Sequence, residues 1–404
     1  MMAKKEMFVP GQNKIFLDKL IKIRREIHQY PELGNEEFRT TKFVEQILHS
    51  VSIPTRRLTK TGTAGLLSGE KRNCLAFRAD IDALPVQEAT GKSFASRAAG
   101  KMHACGHDGN TTMVLGAALL LSAQRKNLSG AVKFIFQPNE ETADGAKNLL
   151  KAGVFKNPAV SAIIGVHLHP DLPCGKIGLR RGEMMAAVDK FTITILGEGG
   201  HGAAPHRGKD AVVIAAQVVN ALQSIVSRQL DQVEPALITV GTIHGGRRFN
   251  VLADRVELVG TVRTLNEKLH QQIPRLMRQT IAGVCRSWQA NFKFDYQVLG
   301  YPLVNTEKMV SFVEGVAREY LGKANVVEVK KPSLGGEDFA EYLREAPGCF
   351  IYIGGKKPGG GKAYPWHHPK FDFDERALVC GARLLCELAL EYNRRERSRP
   401  FPTT

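Results

Sequence analysis

No apolar run in this sequence is long enough to cross a bilayer. The longest, MVLGAALLLSA from Met113, stops well short of the roughly 18 residues a membrane helix needs, so no spanning helix and no membrane partner are expected. A secretory leader is missing as well. MMAKKEMFVPGQNK carries lysines with no apolar stretch or small-residue cleavage site behind them, and a cytoplasmic protein is expected. Cysteine is sparse: seven residues, at 74, 105, 174, 285, 349, 380 and 386, scattered and odd in number, which fits reduced thiols rather than a disulfide framework. Aromatic residues make up 7% and nowhere interleave with basic ones as in an RNA- or DNA-binding surface. The formal charge of +16 is spread along the chain, with small clusters at RREIH and RRERSRP. It reads as a basic solvated surface whose field would attract anionic substrates, with no nucleic-acid partner.

What is present is a globular composition, 43% hydrophobic and 24% charged over 404 residues, enough for at least two domains. KIFLDKLIKIRREIHQ has helical spacing and Pro31 just beyond it, marking a surface helix that closes onto a sheet. Short apolar runs then alternate with helical patterns: CLAF, a helix from about Thr111, AVKFIF, a helix around GAKNLLKAG, and AIIGV. That alternation predicts an α/β fold with a mainly parallel sheet.

Near Val188 the texture changes. VDKFTITILGEG, ALITVGTIHGG and RVELVGTVRTL read as alternating strands, and DAVVIAAQVVNALQSIVSRQ and KLHQQIPRLMRQTIAGVCRSW as helices. Their order fits an inserted ferredoxin-like α+β module. After about Tyr301 the helix and strand patterns resume. The expected organisation is a catalytic domain in two parts, residues 1–186 and 300–404, around an insertion at 187–299. No internal repeat or low-complexity linker interrupts it.

The polar residues after the strands carry the chemistry. CLAF leads to Arg78, Asp80 and Asp82, AVKFIF to Glu140 and Glu141, and AIIGV to His167 and His169. In an open α/β sheet such groups gather at the carboxyl ends of the strands. In MHACGHD, Cys105 and His107 are two apart, so they would not share a helical face. On a loop leading into the next helix they can turn toward one point. With Glu141, His167 and a histidine from WHHPKFDFDE, their thiolate, imidazole and carboxylate donors suffice for two metal ions. Two ions about 3.5–4 Å apart can activate a shared water and polarise a carbonyl. Taken singly, each piece is open: Cys105 as a buried thiol, NEE as a solvated turn, His367 and His368 as surface residues, Asp80 and Asp82 as helix caps or arginine partners. A redox role for Cys105 lacks a resolving cysteine, and a cysteine nucleophile would have no use for a carboxylate pair.

Across almost its whole length the chain resembles the dinuclear metallo-amidohydrolases that include aminoacylases, hippurate hydrolases and plant auxin-conjugate hydrolases. The resemblance lies in RREIHQYPELGNEEFRT, RADIDALPVQE, MHACGHDGNTTMVLGAA, FIFQPNEE, GVHLHP, GGHGAAPHRGKDAV, GGRRFNVLADRVELVGTVR, LGGEDFA and HHPKFDFDE, in that order. It implies Cys105, His107, Glu141, His167 and His367 as metal ligands, with Glu140 as general base and Asp82 as a supporting carboxylate. It implies that His201 from a partner subunit stabilises the oxyanion and that Asn250 and Arg263 meet the substrate carboxylate. It further implies two divalent ions per subunit, Mn2+ or Zn2+ with Ni2+ or Co2+ as alternatives, and a homodimer formed through the inserted lid. The activity implied is hydrolysis of N-acyl amino acids. A dipeptidase, an N-acetyl-diaminopimelate deacetylase or a metal-binding protein without catalysis are the alternatives. Asn110 departs from the resembled pattern GHDxHT, whose last histidine it replaces. His169 and the TADGA stretch depart from it in the substrate pocket.

Overall fold

A computed structural model describes residues 10–69, 73–359 and 362–398. Most of the stretch read for a leader, and the last residues of the RRERSRP cluster, lie outside them. The chain forms two compact units, one of Met1–Gly182, Asn305–Lys330 and Glu341–Thr404, the other of Glu183–Val304 and Lys331–Ala340.

The first unit is built on an eight-stranded sheet. Its order is Thr55–Arg57, Thr63–Leu67, Ala131–Gln137, Cys74–Asp80, Ala162–Pro173, Gly348–Lys356, Ile177–Leu179 and Val326–Glu328. The four central strands run parallel, and antiparallel pairings appear only outside them. Every residue of Cys74–Asp80 and Ala131–Gln137 is buried, as strands covered on both faces require. The helices Pro10–Gln29, His107–Ala123 and Arg376–Ser398 pack against one another. Gly116 makes this close contact feasible, since a Cβ there would lie 2.7 Å from Ala382 Cβ and 3.1 Å from Leu20 Cδ2.

Three boundaries, one helix start and two strand ends, differ from the sequence expectation in ways that matter for the site. The helix expected from Thr111 begins at His107, directly after Gly106, so His107 sits on its first turn rather than on the loop. The helix is buried nearly all round, from His107 through Leu119, and a helix without a polar face shows no period by which its start can be read. The strands also continue past their apolar runs. Cys74–Asp80 includes Arg78 and Asp80, and Ala162–Pro173 includes His167 and His169. A polar residue stays in a buried strand when it has a partner there.

The second unit has the order strand, helix, strand, strand, helix, strand: Ala187–Leu196, Ala211–Ser224, Ala236–Gly245, Arg255–Thr264, Glu267–Ser287 and Asn291–Gly300. Its antiparallel sheet places the second strand at one edge, then the third, the first and the fourth, which is the ferredoxin-like arrangement. Asn266 caps the long helix by accepting from Lys268 N and Leu269 N at 2.8 and 3.2 Å. The segment Ala211–Gln229 is long and apolar enough to cross a membrane by length and composition. Reading continuous apolar runs overlooked it because Gln217 and Asn220 interrupt it. Its Ile214, Val218, Leu222 and Ile225 lie in the core of this unit with Phe191, Ile193 and Leu258.

Candidate metal centre

Three turns and one strand of the first unit carry the candidate ligands. Gly106, at φ +93°, separates Cys105 from His107, and this left-handed conformation, which glycine adopts without strain, lets both side chains face one point. A Cβ at Gly106 would also meet Phe371 and Leu168 at 3.3 and 3.4 Å. After the strand Ala131–Gln137, Asn139 at φ +56° turns the chain so that Glu140 and Glu141 follow. His167 comes from the strand Ala162–Pro173. His367, at φ +65°, donates its N–H to Ala104 O at 2.9 Å, beside Cys105.

The donor atoms converge. Cys105, His107 and His167 form one trio with ligand atoms within 4.8 Å of one another, and Cys105, Glu141 and His367 form a second. Cys105 belongs to both. Cys105 Sγ lies 3.6 Å from His167 Nε2, His107 Nε2 lies 3.9 Å from Glu141 Oε1, and His367 Nε2 lies 3.5 Å from Glu141 Oε2. His368 is turned elsewhere. It stacks on Tyr364 with ring centroids 4.5 Å apart, and its Nδ1 accepts from Lys370 N at 3.0 Å.

Hydrogen bonds decide which nitrogen of each ring is available. His107 Nδ1 faces two oxygens, Asp82 O at 3.0 Å and Asp82 Oδ1 at 3.1 Å, so that nitrogen carries the proton. His167 Nδ1 likewise donates to Leu168 O at 2.8 Å. Both Nε2 lone pairs therefore point into the cluster. Asp82 Oδ2 accepts the N–H of Glu141 at 3.0 Å, so one carboxylate orients two candidate ligands, the arrangement by which outer partners tune a metal site.

Among the described residues, His107 Nε2 and Glu141 Oε1 are buried with no hydrogen-bond partner. Buried polar atoms without partners are costly, and a cation in the cluster is the partner that satisfies both an imidazole lone pair and a carboxylate oxygen. The electrostatics agree. Burial pushes the Glu141 carboxyl up to about 7, with Asp82 and Asp80 adding to the rise. Burial likewise raises Cys105, with the Glu141 charge adding, and lowers His167 to about 4. Burial disfavours a charged His107 ring, but the charges of Asp80 and Cys105 overcome it and raise that ring well above its usual value. Glu141, Cys105 and His107 thus favour protonated forms whose protons a divalent ion would displace, while His167 is neutral and ready to ligate.

A further carboxylate stands behind the cluster. Asp80 Oδ2 accepts from Arg78 at 2.7 Å and lies 3.7 Å from His107 Nε2. Burial works against the Asp80 carboxylate, yet His107 and Arg78 hold it below its usual range. Asn110 Nδ2 donates to Asp80 Oδ1 at 2.8 Å, and Asn110 Oδ1 accepts Leu168 N–H at 3.0 Å. Asn110 thus ties the His107 helix to the strands bearing Asp80 and His167. From the sequence, Asn110 was a departure from a pattern at a non-ligand position where a supporting hydrogen bond could differ, but its partners were not identified. Its spacing of three from His107 on one helix was the available signal.

The remaining expected residues belong to the second unit. His201 is exposed on a short strand, paired with Val251, and its Nδ1 accepts from Ala203 N at 3.0 Å. Asn250 is exposed beside it, its carbonyl accepting Gly202 N–H at 2.8 Å. Arg263 is half-buried on the strand Arg255–Thr264, opposite Val188.

Residues 76–391 match the profile of Peptidase family M20/M25/M40. The chain is 40% identical over 384 residues to an N-acetylcysteine deacetylase of Bacillus subtilis, covering 94% of this chain and 98% of that one. It is 38% identical over 383 residues to an IAA-amino acid hydrolase of Arabidopsis thaliana, covering 93% and 87%. Among solved structures, a dinuclear metal binding peptidase of the M20 family from Bacillus subtilis aligns with a TM-score of 0.82 and 37% identity, covering 94% of this chain and 99% of that one.

Proposed function

Since the chain belongs to peptidase family M20/M25/M40, whose relatives above are amide hydrolases, we propose that it cleaves N-acyl amino acids to a carboxylic acid and a free amino acid. The observation that carries the reading is the pair of donor trios sharing Cys105, with Glu140 beside them. Cys105, His107, Glu141, His167 and His367 would hold two divalent ions, zinc or manganese, with nickel or cobalt as alternatives. The donors fit, since thiolate and imidazole suit zinc and carboxylates suit manganese as well. When bound, such ions lower the pKa of water and polarise a carbonyl.

The residues of the chain do the rest. Glu140 Oε2 lies 4.0 Å from His107 Nε2, at the edge of the cluster and half-buried, where it can take a proton from water and return it to the leaving amine. Water adds across the amide, its oxygen to the carbonyl carbon and its protons to the nitrogen and the new acid. Asp82 keeps the His107 ring and the Glu141 backbone in place. His367 is 54% exposed, so the cluster opens to solvent on its side and substrate can enter there. In this reading His201 supplies an oxyanion donor to the site of a partner subunit, and Asn250 and Arg263 receive the substrate carboxylate. The insertion expected at 187–299, which lies within the second unit, serves as lid and dimerisation module. Its edge strand Ala236–Gly245 and the exposed Val212, Val213 and Ile243 support that assignment.

The test is release of free amino acid from N-acetyl, N-benzoyl and N-indoleacetyl substrates and from dipeptides, with zinc or manganese added and Glu140→Gln alongside. Release from one acyl class, reduced at least about 100-fold in the variant while metal content is kept, is expected for a general base. Full activity in Glu140→Gln would remove Glu140 from its role. No release from any acyl substrate would overturn the substrate reading.

A further inference from the structure

The family match begins at residue 76, yet the segment before it grips the supports of the metal centre at three places. Glu37 Oε1 accepts the N–H of Asn139 at 2.9 Å, and Asn139 immediately precedes Glu140 and Glu141. Glu32 O accepts the N–H of Ala83 at 2.8 Å, with Leu33 bridged to Ala83, one residue past Asp82. From the helix Pro10–Gln29, Arg24 Nε donates to Asp108 Oδ2 at 2.7 Å, and His28 Nδ1 lies 2.8 Å from the same oxygen. Asp108 immediately follows His107. Arg24, His28, Glu37 and Asp108 are all buried, so water does not compete for these contacts.

The grip on Asn139 is the one with most to hold. A non-glycine residue at φ +56° occupies a sparsely populated conformation that persists only where its surroundings enforce it. Three contacts enforce it here. Glu37 takes its N–H, and Thr142 Oγ1 donates to Asn139 Oδ1 at 2.8 Å. Gly34 leaves the room its side chain fills, since a Cβ there would come within 1.9 Å of Asn139 Oδ1.

We propose that residues 24–37 form an outer brace of the metal centre and that Glu37 is its principal positioning residue, setting the 139–141 turn so that Glu141 can reach an ion and Glu140 the substrate. The inference rests on reading the cluster as a metal centre. It gives a function to a motif, PELGNEE, that contributes no ligand. Burial pushes the Glu37 carboxyl up to about 7, so near neutrality glutamine mimics its uncharged form and keeps an oxygen for Asn139 N–H. Alanine removes that oxygen, and aspartate withdraws it by one methylene.

The experiment measures zinc dissociation constants of the full chain, stripped of metal and titrated against a competing chelator, together with the melting temperature of the metal-free protein. Glu37→Ala should weaken zinc binding by about 10- to 100-fold, the usual effect of losing an outer partner of a ligand, and should lower kcat more than it changes KM. Glu37→Gln should stay within about 3-fold of the wild type by the same reasoning. Should Glu37→Ala fail to fold, Glu37→Asp carries the test and should show an intermediate loss. Wild-type zinc affinity in the Ala or Asp variant would overturn the brace, as would a Gln variant as impaired as Ala. Zinc binding is read without substrate, so a wild-type protein that binds zinc and releases no amino acid would overturn the hydrolase reading alone.

Discussion

Replacing Asn110 by leucine keeps the volume and removes both ends of a bridge. Asn110 is fully buried. In its place, Asp80 Oδ1 would lose a donor now 2.8 Å away and Leu168 N–H an acceptor at 3.0 Å. A buried neutral group left unpaired costs about 1–3 kcal/mol, and a charged one more. Asp80 keeps Arg78 on its other oxygen, which limits the second term. The sum is roughly 3–5 kcal/mol. For a unit of this size each kcal/mol moves the melting temperature by about 2 °C, so a fall of roughly 6–10 °C is expected in the transition of the first unit. Scanning calorimetry is the assay, because the two units can unfold in separate steps.

The aspartate variant checks the chemistry. A protonated carboxyl at 110 can donate to Asp80 as the amide does, but two neighbouring carboxylates resist ionising together, so its pKa is raised. The stability of Asn110→Asp should therefore be present at low pH and lost as pH rises through that raised value. Histidine, the residue of the resembled pattern, offers one donor and one acceptor and should cost least. A leucine variant melting within about 2 °C of wild type, less than one unpaired group costs, would refute the bridge. So would an aspartate variant whose deficit does not change with pH.

Cys105→Ser should weaken divalent-ion binding about 10-fold or more, because the softer thiolate is replaced by a hydroxyl. Unchanged affinity in a chelator competition would exclude Cys105 as a ligand. Ion affinity should rise with pH through about 7, because Glu141, pushed up to about 7 by burial, and His107, also raised, must both give up protons. Calorimetric titration in several buffers should show proton release on binding, and an affinity that stays flat from about pH 5 to 8 would contradict it. Gly109→Ala would place a Cβ 2.2 Å from Leu168 Cδ1 and 2.8 Å from Phe373. Overpacking of that kind costs about 1–3 kcal/mol, to be read as a lower melting temperature, and a neutral effect would mean that this core yields.

The alternation of strands and helices, the change of texture near Val188 and the residue types after each strand were all legible in the chain. They depend on local periodicity and on side-chain chemistry, which a sequence states directly. Element ends were less legible. His107, Arg78, Asp80, His167 and His169 proved to lie inside helices or strands because their polar groups find partners there, and several of those partners are distant in the chain: Asp82 for His107, Gln137 for Arg78 and Asn110 for Asp80. For the same reason the motif that contains Glu37 and Arg24 states no role for either. Glu37 meets Asn139, and Arg24 meets Asp108, across separations that no local pattern encodes.

By itself the sequence determined the donor chemistry, one thiol, several imidazoles and a carboxylate pair, and the alternation that builds a parallel sheet. Tertiary structure alone decided that the strand Cys74–Asp80 runs between Ala131–Gln137 and Ala162–Pro173, which brings Asp82, Glu141 and His167 to one rim. The resemblance named His367 over its neighbour His368, and the fold supplies the physical cause, since the His367 N–H is held by Ala104 O while His368 stacks on Tyr364. The physical reason is that a metal site is defined by distances and unshared lone pairs, and both are set by long-range packing.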